Sequence, residues 1–323
     1  MAQIANTFAT FSAVGNREEL ADAIYNISPE ETPFVSAIRK GRASSVFPEW
    51  QTDNLAAASN NKVEQGNQAS LTSTTPTKRV GNRTQISEKV FGVTGTQEVV
   101  DKAGRKSEVS YQSAKKMVEL KRDVEFAAIQ NTTAIAAASG VAPQARGLAG
   151  WLETNNDLGT AGQAPDVDDN TAPVDGTLRD LTEDMLQNVG QLCWEQGGDP
   201  TMLLVPSALR STVSAFTGSA TKFENVRQRQ VTATVEVYVG DFGRYSIVNS
   251  RYNRARDIFL IDPKMFELLT LRPIKREQLA KIGDGERYLV NTEWTLKVRQ
   301  EASSGAIRDL QPASDTDTGD DSD

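Results

Sequence analysis

The stretch Asn60-Asn61-Lys62-Val63-Glu64-Gln65-Gly66-Asn67-Gln68 lies in the middle of residues 53–77, a polar run nearly free of large apolar side chains. Such a run cannot bury enough apolar surface to offset the entropy of ordering it. Either it stays disordered or a neighbouring chain orders it. An unstructured loop of this length is uncommon inside a compact domain, so its length is itself informative. The flanks have a different texture. Residues 45–50 have strand character and end in Trp50. Residues 78–100 return as β, through Val80, Gln85-Ile86-Ser87 and Val90-Phe91-Gly92-Val93-Thr94. Two strand-like flanks around a polar run predict a hairpin-like projection with a loose tip.

Downstream, the spacing predicts one long helix over residues 106–135. Tyr111, Ala114, Met117, Leu120, Val124 and Ala127/Ala128 form a single apolar stripe. Lys115 and Glu119, and Lys121 and Glu125, are opposite charges four apart and are expected to pair on the surface. At 1.5 Å per residue the segment would run roughly 40 Å, a stiff spine with one stripe buried. Upstream, residues 1–16 are expected to form an extended arm. Leu20, Ala21, Ile24 and Ile27 predict a short helix over residues 17–27, and Ser28-Pro29-Glu30-Glu31-Thr32-Pro33 turns the chain. The basic cluster Arg39-Lys40-Gly41-Arg42 suits DNA, an acidic neighbour or a solvated loop equally.

Residues 136–172 carry Gly140, Gly147, Gly150, Gly159 and Gly162 among prolines and aspartates and are expected to be irregular, with Trp151 and Leu152 as their large apolar anchors. From Thr177 the texture changes. Thr177 with Asp180 resembles a capping box for a helix with the stripe Leu178, Leu181, Met185, Val189 and Leu192, closed by Gly197-Gly198-Asp199-Pro200. Thr201-Met202-Leu203-Leu204-Val205 has the composition of a buried central strand, and Pro206-Ser207 opens a second helix with Leu209, Val213 and Phe216. After a polar, basic stretch over 217–229, Val231, Ala233, Val235, Val237 and Val239 alternate as in a half-buried strand. Further strands are expected at Tyr245-Ser246-Ile247-Val248 and Ile258-Phe259-Leu260-Ile261. A charged connection follows over 275–285, then a last alternating strand through Tyr288, Val290, Thr292, Trp294, Leu296 and Val298. Residues 312–323, with five aspartates, are expected to be disordered.

Composition narrows the chemistry. The 323 residues include no histidine and a single cysteine, Cys193, with a formal net charge of −8. Ser-His-Asp and Cys-His mechanisms are excluded, as are zinc sites built on histidine and several cysteines. No phosphate-binding loop or dinucleotide fingerprint is present. Cys193, between Leu192 and Trp194, is expected to be a buried small hydrophobe. Ser113-Ala114-Lys115-Lys116 matches a Ser-x-x-Lys spacing but lacks its companion elements and lies in the long helix. Asp166, Asp168, Asp169 and Asn170 are expected to form a solvated acidic turn, since the glycine and distal glutamate of a calcium loop are missing. Lys62 and Lys78 are exposed lysines in or beside the projection, although a cross-link to a neighbour's asparagine is conceivable. No catalytic residue, cofactor site or metal site is assigned. No signal peptide or membrane span is evident, and the acidic balance argues against a dedicated nucleic-acid binder.

The order of several short patterns carries a resemblance. At the N-terminus these are Ala9-Thr10-Phe11, Arg17-Glu18-Glu19-Leu20-Ala21-Asp22-Ala23-Ile24 and Ile27-Ser28-Pro29-Glu30-Glu31-Thr32-Pro33-Phe34. Later come Gly240-Asp241-Phe242-Gly243-Arg244-Tyr245, Ile258-Phe259-Leu260-Ile261-Asp262-Pro263, Leu271-Arg272-Pro273, Leu279-Ala280-Lys281-Ile282-Gly283-Asp284 and Thr292-Glu293-Trp294-Thr295-Leu296. Over residues 1–310 the chain resembles major capsid proteins of tailed bacteriophages, in the family typified by phage SU10. The resemblance implies an α+β fold of the Hong Kong 97 type. Its parts would be an N-terminal arm (1–44), an extended β-hairpin loop with its stem (45–100), a peripheral domain with the spine helix (101–176), an axial α/β domain (177–290), a return strand of the peripheral domain (291–311) and the acidic tail (312–323).

It also implies an icosahedral virion capsid built from hexamers and pentamers of this chain, made in the bacterial cytoplasm. The expected partners are a portal protein, a separate scaffolding protein rather than a cleaved internal one, a decoration protein and packaged double-stranded DNA in non-specific contact, with no membrane. The alternatives are another phage structural component, such as a tail-tube, decoration or baseplate protein, and a soluble carboxylate-based enzyme.

Overall fold

The computed structural model describes residues 31–68, 71, 73–74, 76–102, 106–216, 237–281 and 283–312. The sequence expectations for residues 1–30, for 217–236 and for the acidic tail from 313 onward lie outside them. In chain order the helices are α1 (Pro33–Ala37), α2 (Gly95–Val99), α3 (Glu108–Gln130), α4 (Leu148–Trp151), α5 (Glu183–Glu195) and α6 (Arg210–Ala215). The strands are β1 (Arg39–Arg42), β2 (Glu49–Thr52), β3 (Lys78–Gly81), β4 (Gln85–Val93), β5 (Asn156–Asp157), β6 (Met202–Pro206), β7 (Val237–Gly240), β8 (Gly243–Ser250), β9 (Ile258–Ile261), β10 (Phe266–Gln278), β11 (Glu286–Val298) and β12 (Gly305–Ile307).

The described strands form three sheets. A four-stranded sheet has the order β1-β10-β11-β4, a six-stranded sheet the order β5-β12-β9-β6-β8-β7, and β2 pairs with β3 alone. The six-stranded sheet explains the continuous apolar run in β6. Leu203 and Val205 pack with Leu186, Val189 and Leu209 from α5 and the turn before α6. Met202 and Leu204 pack on the opposite side with Trp151 and Leu152. Ile258 and Leu260 of β9 face the first cluster, Phe259 and Ile261 the second. Both faces are covered, so no polar alternation is needed.

The long helix forms with the expected stripe: Leu120, Val124, Ala127 and Ala128 are buried. It is shorter than the pattern predicts. Ser107 caps it, its side chain accepting from the Ser110 N–H at 3.2 Å. Asn131 ends it in an extended conformation, with its side-chain amide donating to the Ala145 carbonyl at 2.8 Å. Twenty-three residues give a spine of about 34 Å. The expected surface pairs also differ. Glu119 pairs with Lys116 at 2.7 Å, and Glu125 turns inward, away from Lys121, to bind backbone.

Three further expectations are corrected. The helix anticipated from Thr177 begins at Glu183, because residues 177–182 are drawn against the C-terminal segment. The Arg179 N–H donates to the Asp309 carbonyl and the Gln311 N–H to the Arg179 carbonyl, each at 2.8 Å, which leaves Leu178 46% exposed. The charged connection over 275–285 begins as strand: β10 runs to Gln278 along β11, whose other edge pairs with β4 over the same residues, so the outer half of this β10–β11 ribbon is exposed on its β10 side. Its register shifts around Pro273, which has no N–H to give to a ladder. Finally, the anticipated boundary at 290 falls inside β11. Both β10 and β11 join the four-stranded sheet, whereas β12 returns to the six-stranded one. The division by sheets follows β9 and again follows β11, because the β10–β11 pair is a single hairpin.

Candidate subunit interface

The projection is built as the polar run suggested. Strands β2 and β3 pair antiparallel, Glu49 opposite Gly81 and Thr52 opposite Lys78. The stem is fastened to the body along its length. The Trp50 ring lies 5.6 Å from that of Trp151, Lys297 approaches the outer face of Trp50, and Lys78 pairs with Asp168 at 2.8 Å. Gly81 is needed where the stem meets the body, since a Cβ there would lie 2.8 Å from the Phe47 ring. Between stem and body runs an open cleft of about 510 Å³ lined by Asn54, Leu55, Pro76, Trp151, Glu153 and Glu301.

Past the stem, support stops. Leu55, Val63 and Leu71, the large aliphatic residues of the run, are 99%, 71% and 105% exposed. The described polar contact to the body from this run is Gln300 donating to Asn54. Burying one such aliphatic side chain is worth about 1.5–3 kcal/mol. The excursion therefore holds several kcal/mol of stabilisation that its own chain leaves unused and a second surface can supply.

The spine is fixed at its start and in mid-helix. Glu98 accepts from the Glu108 and Val109 N–H groups at the start of α3, and a hydrogen bond from Ser107 leads the effects that hold its carboxyl below the usual range. In mid-helix, fully buried Glu125 accepts from the Phe34 and Val35 N–H groups at 2.8 and 2.7 Å, capping the otherwise uncapped α1. Burial pushes the Glu125 carboxyl up to about 7, against the opposing pull of those two N–H groups. Phe34 is wholly buried, edge-on to Phe266 at 5.9 Å. Sequence reasoning missed Glu125, since its spacing from Lys121 mimics a surface ion pair.

The glycine-rich region is organised by a buried carboxylate near the C-terminus. Asp309 accepts from the Gly159 N–H at 3.0 Å and the Gly176 N–H at 2.8 Å, and pairs with Arg256 at 2.6 Å. A Cβ on Gly162 or Gly176 would come within 2.6 or 2.8 Å of its carboxylate oxygen. Neighbouring Arg308, also buried, donates to the Ala149 carbonyl and the Asn156 side chain. The spaced glycines were the available signal, but the sequence does not reveal what they enclose.

The other residues singled out by sequence fall apart as sites. The Ser113 hydroxyl donates to the Val109 carbonyl and accepts from Arg276, while Lys116 is paired with Glu119. Asp166 accepts from the backbone of Asp168 and Asp169, and Asn170 binds Arg146 and the Ala134 carbonyl, so this turn is a folded corner. Among the described residues no group of three or more His, Cys, Asp and Glu is placed to hold a metal ion. Cys193 is buried, and burial pushes its thiol up to about 12. Lys62 stands exposed on the excursion, well away from the Lys78–Asp168 pair in sequence. Arg39, Lys40 and Arg42 form the exposed edge strand β1, parallel to β10. No helix among the described residues is long and apolar enough to cross a membrane.

Comparison with known proteins agrees with this architecture. The chain is similar to the major capsid protein of Escherichia phage Phieco32, 26% identical over 93% of this chain and 96% of the relative. In structure it is similar to the capsid of a native GTA particle, with TM-score 0.62, 11% identity and coverage of 94% and 98% of the two chains. A chain from Gordonia phage Cozz gives TM-score 0.60 at 12% identity over 96% and 97%. The fold is thus the Hong Kong 97-type capsid fold. The family model of the SU10 major capsid protein matches residues 3–311, and the chain belongs to that family.

Proposed function

We infer that this protein is the major capsid protein whose copies assemble into the icosahedral shell of a tailed phage around its double-stranded DNA. The observation that carries this reading is the 53–77 excursion, held at its stem and unsupported beyond it, on a chain of the capsid family. The excursion lies over a neighbouring subunit and buries there the aliphatic side chains its own chain leaves exposed. The β10–β11 ribbon and the basic edge β1 offer further contact, and many modest heterologous contacts repeated by symmetry add up to a strong container.

In this reading α3 with the four-stranded sheet is the peripheral domain. The six-stranded sheet with α5 and α6 is the axial domain, which packs around fivefold and sixfold axes in pentamers and hexamers. A portal protein and a separate scaffolding protein complete assembly in the bacterial cytoplasm, and a decoration protein is a further partner. DNA contact is non-specific, through local basic groups on an acidic chain. None of these roles calls for a reaction centre.

Electron microscopy of the purified protein, alone and co-expressed with its scaffolding partner, with light scattering on the same samples, tests the reading. Closed particles or five- and six-membered rings are expected. Open tubes, stable trimers, or a monomer that persists with the scaffold present would overturn it.

A further inference from the structure

Beside the spine lies a second concavity, of about 400 Å³, between α1, α3 and the β10–β11 ribbon. Its floor is apolar: Val35, Val124, Leu268 and Ile274 contribute to it, and Ile274 is 38% exposed. Lys40 and Lys121 stand at its rim, both exposed. Neither has an ion-pair partner among the described residues. The groove is thus apolar within and basic at the edge.

We propose that this groove is the seat of the chain's own residues 17–27, an amphipathic segment whose Leu20, Ile24 and Ile27 enter it as a helix. Three observations converge. First, Thr32 lines the groove, so the chain arrives at its edge. Only residues 28–31 separate Ile27 from that point, and they span at most about 17 Å. Pro29 and Pro33 favour a turn there, so the segment is tethered within reach at high effective concentration. Second, Leu20, Ile24 and Ile27 recur at spacings of four and three, the anchor pattern of a helix laid in an apolar groove. Third, the charges match. Residues 17–31 hold Glu18, Glu19, Asp22, Glu30 and Glu31 against the single base Arg17, and the groove offers two lysines with no ion pair among the described residues. The inference goes beyond the shell assignment and does not depend on it, since it concerns one chain before assembly.

The test is proximity in the full-length protein at low concentration. The pair Ile24→Cys with Ile274→Cys is treated with a short bismaleimide, and the linked peptides are identified by mass. The control pair Asp22→Cys with Ile274→Cys places its thiol on the opposite helix face. Cys193 is buried and stays out of the reaction. An intrachain 24–274 link forming at least tenfold faster than the 22–274 link supports the proposal. Equal rates would overturn it. A link found only between chains would also overturn it, and would assign the groove to a neighbour's arm. As a second readout, amide exchange of residues 17–27 should be slowed in the wild-type protein and speeded at least tenfold by Ile274→Asp, an exposed-site change that leaves the core intact. Unchanged exchange would count against the seat.

Discussion

Residues 53–77 and residues 136–177 look alike in sequence: both are long, polar and rich in small residues. Their structures diverge. The second stretch is held by its own chain, through Asp309 on Gly159 and Gly176, Arg308 on Ala149, and Arg146 on Asn170. The first has a fastened stem and then three exposed aliphatic side chains with no surface to meet. A polar loop can be ordered by a buried charge placed far away in its own sequence. When that internal partner is missing, the partner lies outside the chain. The contrast separates a loop that serves folding from one that serves assembly.

That contrast can be broken most severely by removing the excursion. Deleting residues 54–76, with Asp53→Asn and Thr77→Gly to give the β2–β3 pair a two-residue turn it favours, should abolish shell formation and leave cooperative unfolding of the protomer intact. Particle counts by microscopy and a denaturant titration check both halves. Loss of cooperative folding would mean that the excursion serves the protomer itself. Asp309→Ala probes the other stretch. It leaves Arg256 without its buried carboxylate and frees two backbone N–H groups, so unfolding free energy should fall by roughly 3–5 kcal/mol. Asp309→Asn should lose less, since Asn tolerates the left-handed backbone that Asp309 adopts at φ 62°.

A third effect concerns the spine. The Glu125 carboxyl sits at about 7 in the folded chain, above its ordinary value of 4.5. Over that interval the folded chain holds a proton that the unfolded chain has released. The contribution of Glu125 to stability is therefore greatest below about pH 4.5 and falls as pH rises toward 7, by an amount on the order of 3 kcal/mol. Glu125→Gln cannot ionise and should flatten that slope in chemical denaturation at pH 5 and pH 8. The smallest effect on the protomer comes from Leu71→Ser. The isolated chain should change by less than ~0.5 kcal/mol, while the concentration needed for assembly, read by light scattering, should rise about tenfold to a hundredfold.

How far the sequence speaks depends on whether a residue acts through periodicity or through a distant partner. The stripe from Leu120 to Ala128, the doubly covered run in β6 and the alternation from Tyr288 to Val298 are local patterns, and each appears where the pattern places it. The projection was legible because its composition is incompatible with self-burial. Glu125 and Asp309 were not legible. Their roles come from backbone amides 91 and 150 positions away, and nothing near them in sequence marks the encounter. The start of α5 was misplaced for a related reason: Arg179 is claimed by the C-terminal segment through bonds that no window around Thr177 contains. The extent of β10 was underestimated because its charged outer half is held by pairing with β11 and not by burial.

Amide hydrogen exchange compared between the dispersed protomer and assembled shells tests the central claim most directly. The account predicts that residues 136–177 are protected in both states, while residues 53–77 exchange freely in the protomer and become protected by at least a hundredfold in the shell. Free exchange of 53–77 in closed shells would contradict it.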